Sequence, residues 1–392
     1  MAKINIGNSS TTVSANDADT TYVLARGRAI ETFDTGIVSP GTAEGIRFEI
    51  AGRIESTAGD GLEWGDDLAG GKAMEVEIAR SGRVLATNGV GLRLYGEDLE
   101  VANAGRIAGI QGIYLEGSQS HIVNSGHIDV TGAGVNVLGD TTIVNSGTIT
   151  STKYAINLHA DMGGTGNVVR NSGTITGDIA IFGTGLADRI VNSGTISGDI
   201  LLGGGSDTFV FKAATTSAVV GGAGDDRYIV GVADAEISEA FGGGFDFVRS
   251  SVSFTLSDNI EQINLAGKGN INATGNSQGN HIQGNAGNNI LRGEAGSDFL
   301  VGMAGRDRLF GGGDADVFNF QKGTGTDTVM DFEAGVDEIQ IGGLKGATDF
   351  ADMIANHVEA RGSDIWITYG SDIVILKSTV MGELSSGDFV FG

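Results

Sequence analysis

Cysteine is absent from the 392-residue sequence, and proline occurs once. The absence of cysteine excludes disulfide bonds and thiol catalysis together. The near absence of proline, together with 67 glycines, favours tightly turned β-structure over a helical bundle. Histidine is scarce as well, and the five histidines include no H-E-x-x-H zinc motif and no metal-ligand neighbours at useful spacing: His121, His127, His159, His281 and His357.

Basic residues are also few, because 24 lysines and arginines stand against 49 aspartates and glutamates, for a net charge of −25. This imbalance disfavours nucleic acid or an anionic membrane as a partner. No apolar run approaches the length of a membrane span, and no secretory signal pattern opens the chain. Taken alone, these features predict a cytoplasmic protein without membrane insertion.

Residues 275 to 319 consist of five consecutive nine-residue units. Each unit begins with glycine, which permits the positive φ of a tight turn. Each unit also carries a large apolar residue at its eighth position, which suits a short strand facing a thin core. Asn or Asp occupies the sixth position of every unit: Asn280, Asn289, Asp298, Asp307 and Asp316.

We expect two nine-residue units to form one coil, so that sixth-position side chains recur on the same side every 18 residues. Carboxylates stacked in this way repel each other unless a cation lies between them. Calcium accepts six to eight oxygens from carboxylates and carbonyls in flexible geometry, whereas magnesium demands a stricter octahedron and zinc prefers His or Cys. The spacing therefore predicts several calcium ions. The expected stacks are Asn280 with Asp298 and Asp316, and Asn289 with Asp307.

A second, longer repeat occupies residues 45 to 202, with the signature N-S/A-G-x-I. Its period of about 21 residues suits a coil of three short parallel strands, and the segment resembles the parallel β-helices of surface passenger domains and polysaccharide lyases. Stacked coils would align the isoleucines into an internal ladder and the asparagines into a ladder of amides at a turn. The predicted ladders are Ile107, Ile128, Ile149, Ile175 and Ile196, and Asn103, Asn124, Asn145, Asn171 and Asn192.

Three further aspartates connect the two repeats, because Asp207, Asp226 and Asp246 follow Asp188 at steps of 19, 19 and 20 residues. We expect a continuous solenoid whose coil shortens from about 21 residues to 18, with calcium-binding turns beginning near Asp207. Two domains joined by a flexible tether are the alternative.

The nonapeptides, the lead-in at 246 to 276, the exit segment GTDTVMDFEAGVDEIQI and the terminal GDFVFG resemble the RTX, or haemolysin-type calcium-binding, family. The resemblance implies a β-roll that folds on meeting extracellular calcium and a C-terminus that a type I secretion machine exports from a Gram-negative cell without a signal peptide. It also implies that Asp327, Asp331 and Asp337 in the exit segment hold a last calcium ion.

The predicted fold class is all-β, with a right-handed parallel β-helix that runs into a calcium-binding parallel β-roll and ends in a small cap. The expected segments are strands or an assembly arm over 1–44, β-helix over 45–202, β-roll over 203–320, and cap with secretion signal over 321–392. A disordered arm remains open for residues 1 to 44. The cap is predicted to contain a helix over 348–358 and a hairpin over 364–376 that turns at Gly370 and Ser371.

Two functions remain open. A dense repeat without a recognisable active site favours a secreted, self-associating structural protein, such as a filament, surface-layer or adhesin-like subunit. A polysaccharide lyase or epimerase, or a binder of cell-surface polysaccharide, would place its site near the insertion at 159–167, with His159 and Asp161 beside Lys153 and Tyr154. A polar loop formed by Glu63, Trp64, Asp66 and Asp67 is a weaker sugar-contact candidate, for which an exposed loop with one anchoring Trp is the simpler account.

Overall fold

The computed structural model describes residues 2–39, 45–65, 71–159, 164–342 and 350–391. The chain is nearly all β-structure. It divides into two compact units, an N-terminal unit formed by Met1–Gly224 with Ala235–Ile237 and a C-terminal unit formed by Asp225–Asp234 with Ser238–Gly392. No helix in the described part of the chain has the length and apolar character needed to cross a membrane.

The regular elements in the described part of the N-terminal unit are all strands. In chain order they are β1 (Ala2–Ile6), β2 (Val13–Ser14), β3 (Thr20–Leu24), β4 (Ala29–Thr32), β5 (Ile37–Ser39), β6 (Arg47–Ile50), β7 (Arg53–Ser56), β8 (Leu62–Trp64), β9 (Gly71–Ile78), β10 (Arg83–Asn103), β11 (Arg106–Glu116), β12 (Ser120–Asn124), β13 (His127–Val130), β14 (Ala133–Leu138), β15 (Thr141–Asn145), β16 (Thr148–Ser151), β17 (Tyr154–His159), β18 (Val168–Asn171), β19 (Thr174–Phe182), β20 (Arg189–Asn192), β21 (Thr195–Gly204), β22 (Thr208–Phe211) and β23 (Val219–Ala223).

These strands stack as three parallel faces, and long strands such as β10 pass through more than one face. The first face comprises β1, β3, β6, β9, the end of β10, β12, β15, β18, β20 and β22. The second comprises β4, β7, the starts of β10 and β11, β13, β16, β19 and β21. The third contains β2, β5, β8, β14, β17 and β23 with parts of the long strands. The predicted coil of three parallel strands is confirmed.

Residues 2–39 belong to the same stack. β1 pairs in parallel with β3 and β3 with β6, and on another face β4 pairs with β7. The strands expected in this segment are therefore present, and they form the first coils of the unit.

The predicted isoleucine ladder forms the core of the second face. Ile107, Ile128, Ile149, Ile175 and Ile196 are register partners in turn, and all five are fully buried. Isoleucine suits this position because its branched side chain packs well on a pleated surface. Each buried side chain contributes about 1.5–3 kcal/mol of transfer free energy.

The asparagine ladder is also confirmed, and it is a continuous hydrogen-bonded column. In each of four steps the Nδ2 amide donates to the Oδ1 of the asparagine one coil further on, at 2.8 or 2.9 Å. All five side chains are buried. Buried polar groups are costly unless they are paired, so the column is stable only if every coil supplies an amide: Asn103, Asn124, Asn145, Asn171 and Asn192.

The C-terminal unit has a shorter coil. Its strands continue the numbering as β24 (Arg227–Val230), β25 (Ile237–Ser238, whose two residues are divided between the units), β26 (Phe247–Ser250), β27 (Phe254–Thr255), β28 (Gln262–Leu265), β29 (Ala273–Thr274), β30 (His281–Gln283), β31 (Ile290–Glu294), β32 (Phe299–Val301), β33 (Arg308–Gly312), β34 (Val317–Phe320), β35 (Thr326–Val329), β36 (Glu338–Ile341), β37 (Val358–Arg361), β38 (Asp364–Tyr369), β39 (Asp372–Leu376) and β40 (Phe389–Phe391).

Two parallel faces enclose the core of this unit. One comprises β24, β26, β28, β30, β32, β34, β36 and β40, and the other β27, β29, β31, β33, β35 and β39. The eighth-position side chains of the nonapeptides are fully buried, as predicted: Ile282, Leu291, Leu300, Leu309 and Phe318.

The predicted hairpin is confirmed, because β38 and β39 pair antiparallel around Gly370, which has a φ of 65°. The helix α1 (Phe350–Asn356) ends two residues before the expected end at 358, and residues 348 and 349 lie outside the described residues. Val358 belongs instead to β37, where it is the register partner of Ile367. Two 3₁₀ turns, Met381–Glu383 and Ser386–Asp388, precede β40.

Candidate metal centre

The sixth-position side chains of the C-terminal unit stack at the turns that precede its strands. The backbone N–H of Asn280 donates to Oδ1 of Asp298 at 2.6 Å, and that of Asp298 donates to Oδ1 of Asp316 at 2.9 Å. On the other face the N–H of Asn289 donates to Oδ1 of Asp307 at 2.7 Å. The structure therefore brings together both predicted stacks, and each carboxylate is oriented by the amide of the neighbouring coil.

The second oxygen of these carboxylates has a different environment. Oδ2 of Asp298, Asp307, Asp316 and Asp327 is buried and has no hydrogen-bond partner within the described structure. An unpaired buried carboxylate oxygen is costly, and a hard cation that prefers oxygen ligands would satisfy it. These residues therefore fit calcium.

Burial raises the pKa values of these carboxyl groups. Desolvation, followed by the charges of neighbouring carboxylates such as Asp316, raises the pKa of Asp298 to about 7. Desolvation and the charge of Asp307 raise the pKa of Asp327 to about 8. Desolvation likewise raises the pKa values of Asp307 and Asp316 to about 6. Without a cation, the folded unit therefore favours protonated carboxyl groups near neutral pH.

The opening glycine of each unit leaves space for the carboxylate. A Cβ on Gly293 would overlap Oδ2 of Asp298, and a Cβ on Gly311 would overlap Oδ2 of Asp316. The aspartate side chain folds back over the first glycine of its own unit, so glycine is required there for close approach.

A denser acidic cluster lies at the start of the C-terminal unit. One ligand atom from each of Asp226, Glu239 and Asp246 lies within 4.8 Å of the others, and all three side chains are buried. Oδ2 of Asp246 is buried without a hydrogen-bond partner. Burial, then the charges of Glu239 and Asp226, raises the pKa of Asp246 to about 7. The Tyr228 hydroxyl bonds to Oε1 of Glu239 and orients it.

The aspartate spacing predicts Asp226 and Asp246 but gives no indication of Glu239 or Glu261. The N–H of Asp246 donates to Oε2 of Glu261 at 2.7 Å. Glu261 occupies the coil position of Asn280, because the following residues Gln262 and His281 are register partners. A glutamate does not match the repeat pattern at this position, although its place directly before a strand was a usable signal.

The column in the N-terminal unit begins one coil before the predicted start at Asp207. The N–H of Asn167 donates to Oδ1 of Asp188 at 2.7 Å, and the N–H of Asp188 donates to Oδ1 of Asp207 at 2.6 Å. Oδ2 of Asp188 is buried without a hydrogen-bond partner, and burial raises the pKa of this carboxyl group to about 6. Asp188 therefore has the same geometry as the nonapeptide aspartates.

The exit-segment aspartates also accept backbone hydrogen bonds, and Asp337 does so on both carboxylate oxygens. Asp337 accepts the N–H of Asp316 on Oδ1 at 3.0 Å and the N–H of Glu333 on Oδ2 at 2.9 Å. Oδ1 of Asp331 accepts the N–H of Gly311 at 3.0 Å. The N–H of Asp307 donates to Oδ1 of Asp327 at 3.0 Å, so Asp327 continues the second stack and retains an unpaired oxygen.

The structure describes three of the four residues of the candidate catalytic cluster near the 159–167 insertion. His159 ends β17 with an exposed side chain, and Asp161 lies outside the described residues. The Tyr154 ring packs edge-on against Phe182 with ring centroids 5.8 Å apart. No hydrogen bond joins the side chains of Lys153, Tyr154 and His159, the three members of the cluster that the structure describes. Trp64, the aromatic residue of the weaker candidate, is fully buried, and Asp66 and Asp67 lie outside the described residues.

The nonapeptide repeats of the C-terminal unit match a known family of repeats. Residues 274–305 and 294–329 match a family model for the RTX calcium-binding nonapeptide repeat, in four copies. Among solved structures, the extracellular lipase LipA from Serratia marcescens matches at 16% identity and a TM-score of 0.24, with 64% of this chain and 45% of the lipase chain covered. The chain thus spans less than half of that lipase. No curated protein sequence matches the chain. Residues 274–329 are therefore RTX repeats, which bind calcium at multiple sites, and they form part of a parallel β-solenoid.

Proposed function

We propose that this protein is a secreted structural protein of the bacterial cell surface or extracellular matrix, whose C-terminal unit folds when it meets calcium. The observation that carries the proposal is the stack of buried carboxylates with unpaired Oδ2 atoms at Asp298, Asp307, Asp316 and Asp327. Their mutual repulsion opposes folding without a cation, and calcium between adjacent coils reverses the effect.

Calcium concentration then controls where the chain folds. Extracellular calcium modules bind with dissociation constants of about 0.1–1 mM, far above the free calcium of a bacterial cytosol. An ion that binds only the native state stabilises that state by mass action. The C-terminal unit would remain unfolded during type I export and fold outside the cell.

Self-association is supported by the first coil of the N-terminal unit. Among the described residues, β1 pairs with β3 alone and β2 with β5 alone, so one edge of each strand has no strand partner. Ile4 on β1 is 38% exposed. Unpaired edges are templates for association, and we propose that a second copy of the chain stacks on this end. The protein would therefore act as a filament, surface-layer or adhesin-like subunit without catalysis.

Electron microscopy and circular dichroism of the full chain, with millimolar calcium and with chelator, test this function. We expect β-structure to increase with calcium and ordered assemblies to form only then. Ile4→Lys should prevent assembly without preventing folding, because a charge on the edge strand blocks pairing. Ile110→Lys is the matched control, since Ile110 is 42% exposed and lies on β11. A circular dichroism spectrum that does not change with calcium would contradict calcium-dependent folding. Folded monomers at high protein concentration would contradict only the proposed assembly.

A further inference from the structure

A basic groove crosses the second face of the N-terminal unit. Arg83 on β10 is the register partner of Arg106 on β11, and Arg106 is the partner of His127 on β13. These side chains are exposed. Together with the exposed Arg80 they line a groove of about 630 Å³. Three cationic or ionisable side chains thus follow one another on adjacent strands of a chain whose net charge is −25.

The positive charge of the groove is only partly neutralised by the protein. Arg53, one coil before Arg83, forms ion pairs with Glu31 and with Glu55. At the position of Glu55, the coil of Arg83 carries Leu85 instead. Arg106 pairs with Asp129 at 3.1 Å, while neither Arg80 nor Arg83 has an ion pair within the described residues. Like charges on adjacent strands repel, and an external anion would relieve this repulsion.

The floor of the groove is bare backbone. A Cβ on Gly105 would overlap the carbonyl oxygen of Gly82, and a Cβ on Gly126 would overlap that of Gly105, so the stacked coils leave no space for side chains there. The N–H groups of Arg106 and His127 are already bonded to the carbonyls of Gly82 and Gly105. Recognition must therefore come from the arginine side chains along the groove.

We propose that this groove binds an acidic polysaccharide, with carboxylates of the sugar chain contacting the arginines along the groove. Adjacent strands lie about 4.8 Å apart, so Arg83 and Arg106 present two cationic groups in a row along the stack. The arginine guanidinium offers two parallel N–H donors to each carboxylate. No aromatic side chain lines the groove, so binding depends on charge rather than on ring stacking. The proposal concerns the N-terminal unit and is independent of self-assembly.

Isothermal titration calorimetry of the calcium-folded full chain tests this site, with a galacturonate tetramer as the probe and a neutral galactose tetramer as its control. Arg83→Ala and Arg106→Ala should each weaken binding about tenfold, through the loss of charged hydrogen bonds. Arg83→Lys should weaken it less, because the charge remains while the two-donor geometry is lost. Arg170→Ala, an exposed arginine on β18 of the first face, should leave binding unchanged. Sodium chloride should weaken binding strongly.

Three outcomes would overturn the proposal. Equal affinity of the wild type and the Arg83→Ala/Arg106→Ala double variant would show that the groove does not bind the probe. Equal affinity for the neutral tetramer would remove the role of charge. Tighter binding of a short DNA duplex would assign the groove to nucleic acid. Circular dichroism of each variant in calcium establishes that a loss of binding is not a loss of fold.

Discussion

The backbone N–H of Asp298 donates a 2.9 Å hydrogen bond to Oδ1 of Asp316, one coil further along the C-terminal unit, while Oδ2 of both carboxylates is buried without a hydrogen-bond partner. One oxygen of Asp316 is thus used to set the register of the coils, and the other remains available to a cation. The same carboxylate therefore holds adjacent coils together through one oxygen and can bind calcium through the other.

Replacing both members of this pair should raise the calcium concentration needed for folding. Asp298→Ala with Asp316→Ala removes two proposed ligands from one stack, and we expect the folding midpoint to rise about tenfold. Calcium titration followed by circular dichroism measures the midpoint. Asp258→Ala, which changes an exposed aspartate of the same unit, is the control. An unchanged midpoint in the double variant would refute the assignment of these ligands.

The stability of the calcium-free chain should fall as pH rises. The folded-state pKa values of Asp246, Asp298 and Asp327 lie at about 7, 7 and 8, above the ordinary aspartate value of about 3.9. The folded state therefore binds more protons than the unfolded state, and this stabilisation is complete below about pH 4 and lost as pH rises through the folded-state values.

Thermal unfolding of calcium-stripped protein at pH 5 and pH 8 measures this effect. We expect a lower Tm at pH 8 without calcium and the opposite order with saturating calcium, because the ion competes with protons for the same oxygens. Asp298→Asn with Asp316→Asn should flatten the calcium-free dependence. A higher Tm at pH 8 in the stripped wild type would contradict the prediction.

The space above Gly293 should be as important as the carboxylate itself. Gly293→Ala places a Cβ against Oδ2 of Asp298, so we expect a cost of about 1–3 kcal/mol in unfolding free energy and a higher calcium midpoint. Gly313→Ala is a matched control, because a Cβ there would have no heavy atom within 4 Å. Equal calcium titrations of the two variants would show that the glycine is not required by the site.

Glu239 is expected to hold a calcium ion with Asp226 and Asp246. Glu239→Gln keeps the size of the side chain and the oxygen that faces Tyr228 but removes one charge from the cluster. We expect native mass spectrometry to detect one bound calcium fewer, with the remaining ions retained. Glu236→Gln changes an exposed glutamate three residues earlier and should retain every ion. An unchanged calcium count for Glu239→Gln would exclude Glu239 as a ligand.

The asparagine column should stabilise the N-terminal unit without calcium. Asn145→Ala removes the acceptor for Asn124 and the donor for Asn171, and two unpaired buried groups cost about 2–6 kcal/mol together. Urea denaturation should show this loss both with calcium and with chelator. Thr150→Ala, an exposed position on β16, should have little effect. A loss seen only in calcium would contradict the division of roles between the two repeats.

The repeats made much of this molecule predictable. Ile149 and Asn145 recur in phase with their equivalents over several coils, so their burial and pairing followed from the period alone. The stack of Asp298 and Asp316 followed in the same way from the 18-residue coil. Even the β38–β39 hairpin was indicated locally, because strand-forming residues flank Gly370 on both sides.

Positions outside the repeat could not be found in this way. Glu239 and Glu261 match no nonapeptide position, and only the folding of an irregular coil brings them beside Asp246. Arg106 and His127 occupy the variable fourth position of the longer repeat, and Arg83 occupies the equivalent position one coil earlier. The period therefore aligns these residues, but only the structure shows that their exposed side chains line one groove.

The sequence by itself determined the coil lengths, the core ladders and the stacked aspartates, because each is a local pattern repeated at constant spacing. Only the tertiary structure decided which carboxylate oxygens remain unpaired, which glutamates join the aspartates, and which arginines share a groove. Those properties depend on the register between coils of unequal length, and register is set by packing and hydrogen bonds across the coils rather than by any single segment.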